Sequence, residues 1–181
     1  MPYVQPRAFI FRIISKFLLL TKAKLVEISG ESFVVHDDEC MDTLHSQFEV
    51  TSELSVLLKK ASESTNTAQK SQYALLDAAG FNVMLSHGKQ DIKNALDRGV
   101  RVRIITEEPE SPKAAFDLFG FEHPLLTVKY VPDPVTICMM LFDDKEVHLR
   151  VTKEIVPSFW SNNPRIINLS KTYYDQMWNK L

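Results

Sequence analysis

The sequence is poor in cysteine, the residue that forms disulfides and many structural zinc sites. It contains two cysteines, Cys40 and Cys138, which lie far apart in the chain. A disulfide framework needs a patterned set of cysteines, and a cysteine-rich zinc site needs at least one further pair. The composition therefore indicates a protein of a reducing cytoplasm that has neither feature.

Long apolar runs are also missing. The most apolar stretch, residues 8–20, is interrupted by Arg12 and Lys16 and is shorter than the roughly 20 residues of a membrane-spanning helix. Its apolar side chains recur at helical spacing. We therefore expect an amphipathic helix that packs on protein, with no role in a membrane.

Several motifs of catalysis and metal binding are absent as well. The sequence has no glycine-rich phosphate loop, no nucleophile elbow and no usefully spaced pair of carboxylates. Residues 36–45 include His36 and His45 beside several acids, but their spacing matches no closed zinc or calcium loop. We expect neither a metal site nor a cofactor.

What the sequence does contain is an uneven distribution of charge. The net charge is only −2, yet residues 1–24 hold five cations and no acid, whereas residues 25–58 hold eight acids and no lysine or arginine. Such an asymmetry indicates an anionic partner at the N-terminus. The five cations are Arg7, Arg12, Lys16, Lys22 and Lys24.

The N-terminal third predicts a helix, a small hairpin and a second helix. The first helix spans residues 7–20, and two short strands flank Gly30, an arrangement typical of the second half of a winged helix-turn-helix. A further helix is predicted over residues 37–62. Its apolar stripe suggests pairing in a dimer and comprises Met41, Leu44, Phe48, Leu54, Leu57 and Ala61.

From residue 72 onward the pattern alternates between strand and helix. A strand at 73–78, a helix at 81–97 and a strand at 100–105 predict a βαβ unit with parallel strands. The other expected elements are a short helix at 113–119, strands at 126–131, 135–142 and 147–152, a hairpin turn at 143–146, and a closing helix with an apolar stripe from Ile166 to Trp178. The expected fold class is α/β.

Two sets of segments resemble one family, the TrmB-type archaeal transcription regulators. The N-terminal set, residues 7–17 and Leu25-Val26-Glu27-Ile28, is similar to that family's recognition helix and wing. The C-terminal set is similar to its phospholipase-D-like effector domain, and comprises residues 97–103, residues 141–147, Ser161-Asn162-Asn163-Pro164 and residues 174–178.

The resemblance implies three parts: a partial winged helix at 1–36, a linker and dimerisation helix at 37–66, and a phospholipase-D-like effector domain at 67–181. It implies a cytoplasmic homodimer that binds DNA through the five N-terminal cations and senses a small effector such as a sugar. The family has further helices before the recognition helix, and because this sequence begins without them we expect impaired DNA binding.

Phospholipase-D chemistry needs the pattern HxKxxxxD, whose His and Lys lie on one face of a strand. If Asp143 is the aspartate, Thr136 and Cys138 occupy the His and Lys positions, and neither residue can replace them. Asp143 is then a turn residue. His87 with Lys89 lacks the matching aspartate and lies in a predicted helix, so we expect no catalytic residue and no enzymatic activity.

An alternative function remains open at this point. The chain could be a freestanding signalling or sensor module whose basic helix docks on a partner protein, without any contact with DNA. Salt-dependent binding to duplex DNA distinguishes the two hypotheses. The pattern also predicts that His148, between Val147 and Leu149, faces away from the core.

Overall fold

The computed structural model of the protein describes residues 26–29, 32–35, 48–108, 119–150 and 157–181. The five N-terminal cations, the predicted helix at 7–20, residues 36–45 and all but the last residue of the predicted helix at 113–119 lie outside the described residues. No helix among the described residues is both long enough and apolar enough to span a bilayer.

The described elements are arranged around one mixed sheet. In chain order they are β1 (Val26–Ser29), β2 (Ser32–Val35), β3 (Phe48–Thr51), α1 (Leu54–Thr67), β4 (Ser71–Leu76), α2 (Ala78–Asp97), β5 (Arg101–Glu107), β6 (Leu126–Val131), β7 (Cys138–Phe142), β8 (Glu146–Arg150), β9 (Ser158–Ser161) and α3 (Pro164–Trp178). Strands β1 and β2 form a separate antiparallel hairpin, which confirms the predicted pair of short strands.

The main sheet has seven strands in the order β3-β9-β8-β7-β4-β5-β6. Strands β4, β5 and β6 run parallel, whereas β7, β8, β9 and β3 continue the sheet with antiparallel pairings. Strand β4 therefore joins a parallel half to an antiparallel half. The parallel pairing of β4 with β5 confirms the βαβ unit predicted from the sequence.

Local capping signals explain why α2 begins and ends where it does. The Asp77 side chain accepts a hydrogen bond of 2.7 Å from the Gly80 N–H, which satisfies one of the free donors of the first turn. At the other end Gly99 adopts a φ of +89°, a conformation that a residue without Cβ tolerates. Gly99 therefore allows the chain to turn away at the end of α2.

Helices cover both faces of the sheet. Along β4, Tyr73 and Leu75 face the core under α3, whereas Ala74 and Leu76 face the core under α2. Helix α1 lies beside α2 on the same side. Because both faces are buried, most strands carry apolar residues without a simple alternation of apolar and polar positions.

Stacked aromatic rings hold α3 on its face of the sheet. The Tyr174 ring lies 5.3 Å from that of Tyr73 and 6.0 Å from that of Trp178. The Arg103 guanidinium lies 4.9 Å from the Trp178 ring, and the Tyr174 hydroxyl donates to the Arg103 carbonyl at 3.1 Å. These contacts explain the aromatic stripe that the sequence predicted on the closing helix.

The predicted continuous helix over residues 37–62 is confirmed at residues 54–62 and wrong at residues 48–53. Residues 48–51 form β3, which pairs with β9, and a helix follows only from Leu54 to Thr67. The apolar stripe is accordingly divided, because Phe48 belongs to a strand while Leu57 and Ala61 face a cavity beneath α1. Pairing with β9 outweighed the helical periodicity of residues 48–51. The sequence pattern does not predict β9 itself.

The three-part division of the chain stays a prediction, but its second boundary does not coincide with a loop. Residues 62–67 form the last turns of α1, where Ser64 and Thr65 are buried. Arg98 donates to the Thr65 carbonyl at 2.8 Å. Residues 48–67 therefore pack on the same sheet as the residues that follow them.

The turn between β7 and β8 fixes the start of β4. The Asp143 carboxylate accepts hydrogen bonds from the backbone N–H groups of Gln69, Lys70 and Ser71 at 2.8, 2.8 and 2.9 Å. Burial alone raises the pKa of Asp143, but these three donors and nearby Lys145 hold the pKa below its ordinary value. The predicted turn role of Asp143 is confirmed.

We predict that Asp143→Ala destabilises the protein by about 2 kcal/mol more than Asp144→Ala, since hydrogen bonds to a charged group contribute about 1.5 to 3 kcal/mol. Asp144 is the matched control because Asp143 and Asp144 have nearly the same positive φ, 54° and 56°. Both variants therefore lose the tolerance of Asp for this conformation, and only Asp143→Ala loses the three backbone bonds. Equal unfolding free energies in a urea titration would contradict the prediction.

Candidate functional site

Buried polar side chains are concentrated on the sheet face beneath α1 and α2. Gln72 of β4, His148 and Arg150 of β8, and Ser158 of β9 are all buried. They line one cavity together with residues of both helices. Buried polar groups are costly unless they have partners, so this face is where a function is to be sought.

The cavity has a volume of about 300 Å³ and lies between the two helices and the sheet. Its helix side is formed mainly by apolar side chains, and its sheet side combines these polar groups with methionine and leucine. The lining relevant here is Leu57, Ala61, Val83, Met84, Gln72, Met140, His148 and Arg150. A largely apolar concavity with a few convergent polar groups is typical of a small-molecule site.

His148 is buried in the wall of this cavity. Its Nε2 lies 3.2 Å from the Ser64 hydroxyl oxygen, and its ring meets that of Phe142 edge to face at 5.3 Å. Burial, with a smaller contribution from the positive charge of Lys60, lowers the pKa of His148 to about 3. The imidazole is therefore neutral at physiological pH.

The prediction that His148 faces away from the core is wrong. Val147 and Leu149 do point to the opposite face, under α3. The side that His148 faces, however, is covered by α1. Alternation along β8 correctly predicted that His148 points to the sheet face opposite to that of Val147 and Leu149. It could not show that this face is also covered by a helix.

An ion pair joins Arg150, which lines the cavity, to Asp77, which is partly buried. Arg150 Nη2 donates to Asp77 Oδ1 and lies 2.9 Å from the Cys138 sulfur. The Asp77 backbone N–H also donates to this sulfur, at 3.3 Å. Burial raises the pKa of the Cys138 thiol to about 11 although Arg150 acts in the opposite direction, so the thiol is un-ionised.

Gln72, which lines the cavity, has a buried oxygen without a hydrogen-bond partner among the described residues. The residue is 2% exposed, and its Oε1 is an unpaired acceptor with almost no accessible surface. An unpaired buried acceptor forfeits the hydrogen bonds that it makes to water in the unfolded chain. This oxygen therefore costs stability and is not open to the cavity.

A second cavity of about 270 Å³ adjoins the first, and Leu57, His148 and Ser158 line both. Here the Lys60 ammonium lies 3.9 Å from the Trp160 ring centre and 2.9 Å from a Glu49 carboxylate oxygen. The Lys60 ammonium thus already interacts with the Trp160 ring and the Glu49 carboxylate. The second cavity leaves fewer polar groups available than the first.

The residues that the sequence pattern identified as candidates lie in different environments. Thr136 is exposed and Cys138 is buried at the start of β7, so they differ in environment although they are two residues apart. His87 is an exposed residue of α2 at the cavity, and its helical placement confirms the prediction. Within the described ranges, no cluster of His, Cys, Asp and Glu could hold a metal ion.

Sequence reasoning missed the cavity. Gln72 lies just before the predicted strand at 73–78 and belongs to the observed β4, while His148 and Arg150 are two residues apart in β8, so polar residues at inward strand positions were the available signal. The helices that bury them are distant in sequence. Only the packing of α1 and α2 identifies these polar residues as a group.

Searches with the sequence match no protein-family model and no curated protein. The structure, in contrast, matches several solved structures. One is TrmBL2, described as an archaeal chromatin protein that shows a novel mode of DNA binding, with 21% identity and a TM-score of 0.56. The match covers 98% of this chain and 64% of TrmBL2, so this chain spans less than two thirds of that protein.

Two further matches are the proteins NucT and Nuc. NucT from Helicobacter pylori has 18% identity and a TM-score of 0.51, over 74% of this chain and 95% of its own. Nuc from Salmonella typhimurium, described as a phospholipase D family member, has 17% identity and a TM-score of 0.49 over the same shares. The likeness to TrmBL2 and NucT confirms the predicted fold class, a phospholipase-D-like α/β fold, and at these identities it extends to the fold alone.

We predict that His148 makes the protein sensitive to acid. Its pKa in the folded state, about 3, lies below the ordinary value of 6.5, so its contribution to stability is complete above pH 6.5 and is lost as the pH falls toward 3. Between pH 6.5 and about pH 4 the unfolding free energy should fall by about 1.4 kcal/mol per pH unit more than in His148→Gln.

Urea titrations at several pH values measure this difference. His87→Gln, which removes an exposed imidazole of α2 at the same cavity, is the control and should keep the native pH dependence. If His148→Gln and the native protein lose stability in parallel below pH 6.5, His148 is not buried as a neutral group.

Proposed function

We propose that the chain is a TrmB-like transcription regulator that binds DNA and senses a small effector. The observation that carries the proposal is the extent of the likeness to TrmBL2. NucT matches 74% of the chain, whereas TrmBL2 matches 98%, which necessarily includes most of the sequence before β3. The shared part is therefore the phospholipase-D-like fold together with the segment that resembles a recognition helix and wing.

The charge of that segment supports contact with DNA. Five cations and no acid occupy residues 1–24, and Arg12 and Lys16 are four residues apart, so they share one face of a helix. A cationic helix followed by a hairpin suits the phosphate backbone of a duplex. The described hairpin β1–β2 is the element expected in the position of the wing.

The absence of catalysis is part of the proposal. Cys138, at the position of the phospholipase-D lysine, is an un-ionised thiol beside Arg150 and cannot hold a phosphate by charge. Asp143 is engaged in three backbone hydrogen bonds. Thr136 replaces the nucleophilic histidine.

Dimerisation and effector sensing follow from the same family resemblance. Two copies of the DNA-binding segment would be needed to read paired half-sites. The effector would act by binding one arrangement of the dimer more tightly than another, which couples ligand binding to DNA binding. The cytoplasm is the compartment where such a regulator works.

We predict salt-dependent binding to duplex DNA that depends on the N-terminal cations. Each lost phosphate contact should reduce the slope of log affinity against log salt by about 0.9. The variants Arg12→Ala and Lys16→Ala should each lower both affinity and slope, measured by fluorescence anisotropy with a labelled duplex. Lys59→Ala, which removes an exposed lysine of α1, is the matched control and should change neither.

Absence of any DNA binding at low salt would contradict the regulator and favour the alternative, a sensor module that docks on a protein. Equal effects of Lys59→Ala and Lys16→Ala would show that binding depends on overall charge and not on the N-terminal segment. In that case the assignment of Arg7, Arg12, Lys16, Lys22 and Lys24 would be wrong.

We further predict no turnover of a generic phosphodiester such as bis(p-nitrophenyl) phosphate above the rate in buffer. Thr136→Ala and Cys138→Ala are the informative variants, since they remove the side chains at the catalytic positions without touching the turn that Asp143 stabilises. Turnover by the native chain that either variant abolishes would overturn the proposal of an inactive domain.

A further inference from the structure

Four polar side chains, three of them basic, lie together on the α3 side of β5 and β6. Alternation places Arg101 and Arg103 of β5 on this side, because Val102 between them belongs to the core under α2. In the parallel register of the two strands, Thr127 of β6 lies beside Arg103, and Lys129 follows two residues further along β6. We call Arg101, Arg103, Thr127 and Lys129 the basic row.

The basic row is accessible from the solvent. Helix α3 packs mainly over β7 and β8, and its last residue, Trp178, reaches β5 and β6. Helices α1 and α2 lie on the other face of the sheet, so among the described helices only the end of α3 borders the basic row. Arg101 and Thr127 are exposed, and Arg103 and Lys129 are half-buried.

Aromatic rings fix the position of two of these cations. The Arg103 guanidinium carbon lies 4.9 Å from the centre of the Trp178 ring and 5.7 Å from that of Tyr73. The Lys129 ammonium lies 4.4 Å from the Trp178 ring centre and donates to the Trp178 carbonyl at 3.0 Å. A guanidinium that stacks on a ring keeps N–H donors at its edge, so the rings position the charge without neutralising it.

The charge of the basic row is not balanced within the described part of the chain. No described carboxylate lies within ion-pair distance of its three cations. In contrast, Lys171 on the same side of the sheet is paired with Asp144 and Asp175, at 3.5 and 3.6 Å. Like charges that lie close together repel one another, and an anionic partner would remove this repulsion.

The spacing of the cations favours a partner with regularly repeated charges. Arg101 and Arg103 lie about 6.6 Å apart, twice the rise of a strand per residue, and Lys129 continues the line on the next strand, about 4.8 Å across the sheet. A small anion would contact only part of this line. Duplex DNA carries a phosphate at every step of each strand, and the Thr127 hydroxyl is a further donor for a phosphate oxygen.

We propose that the basic row is a second surface of this chain that binds the phosphate backbone of duplex DNA, separate from the N-terminal cations. The inference rests on the proposed function in naming DNA as the polyanion. Contacts with phosphates position a protein on the duplex and do not read its sequence. Because both surfaces belong to one chain, the second contact strengthens the first by raising its effective concentration.

Fluorescence anisotropy with the full chain and a labelled duplex, over a range of salt concentrations, tests the proposal. Arg101→Ala should reduce the slope of log affinity against log salt by about 0.9, and the affinity at 0.1 M salt by up to about eightfold, because one phosphate contact is lost. Thr127→Asp, which places an acid beside Arg103, should also lower the affinity. Lys93→Ala, which removes an exposed lysine of α2 on the opposite face, is the matched control and should change neither quantity.

Arg103 needs a separate comparison, because it also packs on Trp178. Arg103→Gln should lower the salt slope by about 0.9, whereas Arg103→Lys keeps the charge and should keep most of the slope. A role in packing alone would lower the unfolding free energy of both variants and leave the slope unchanged. If Arg103→Gln does not fold, the variants at the exposed positions Arg101 and Thr127 still decide the proposal.

The outcomes distinguish the basic row from the N-terminal segment. If the native chain binds DNA while Arg101→Ala and Thr127→Asp bind as Lys93→Ala does, the basic row is overturned and the regulator stands on Arg12→Ala and Lys16→Ala. Losses in the row variants without losses in the N-terminal variants support the basic row and contradict only the N-terminal assignment. A native chain that binds no DNA at low salt overturns both.

A second polyanion tests the class of the partner. Poly-L-glutamate should bind the native chain more weakly than the duplex at the same salt concentration. If it binds as tightly, and loses affinity in Arg101→Ala and Thr127→Asp, the basic row is a surface for an acidic protein and the proposal of DNA is overturned.

Discussion

The junction between β4 and the β7–β8 turn is the constraint on which the rest of the sheet depends. The Asp143 carboxylate binds three successive backbone N–H groups at the end of the α1–β4 connection. In this way it aligns β4 with β7, the antiparallel neighbour, while β5 pairs with the other edge of β4 in parallel. The carboxylate thus sets the register at the point where the two halves of the sheet meet.

The same register places Gln72 opposite Phe142 and directs its amide under α1 and α2. A shift by one residue would exchange Gln72 with Tyr73 and would break the ring stack that holds α3. The cavity and the packing of α3 are therefore two consequences of one strand register. Asp143, a turn residue that lines neither of them, thereby influences where both form.

The polar groups buried on the sheet face beneath α1 and α2 differ in whether they have hydrogen-bond or ion-pair partners. Arg150 has Asp77 and Cys138, and His148 stays neutral beside Ser64, whereas Gln72 Oε1 has no partner among the described residues. Burying a charge without a counter-charge costs far more than burying an amide, because the desolvation of an ion is much larger. The group without a partner is accordingly the Gln72 amide oxygen, whose burial costs less than that of a charged group.

The sequence by itself determined the parallel βαβ unit, the hairpin turn at Asp143 and the stripe of α3, because each follows from patterns among residues close in the chain. It also predicted Thr136 and Cys138 at the positions of the phospholipase-D histidine and lysine, and this assignment stays a prediction. Only the tertiary structure decided that residues 48–51 are a strand, because their partner β9 lies more than a hundred residues later. It alone placed His148 and Gln72 in a cavity, since alternation gives the side to which a residue points but not which helices cover that side.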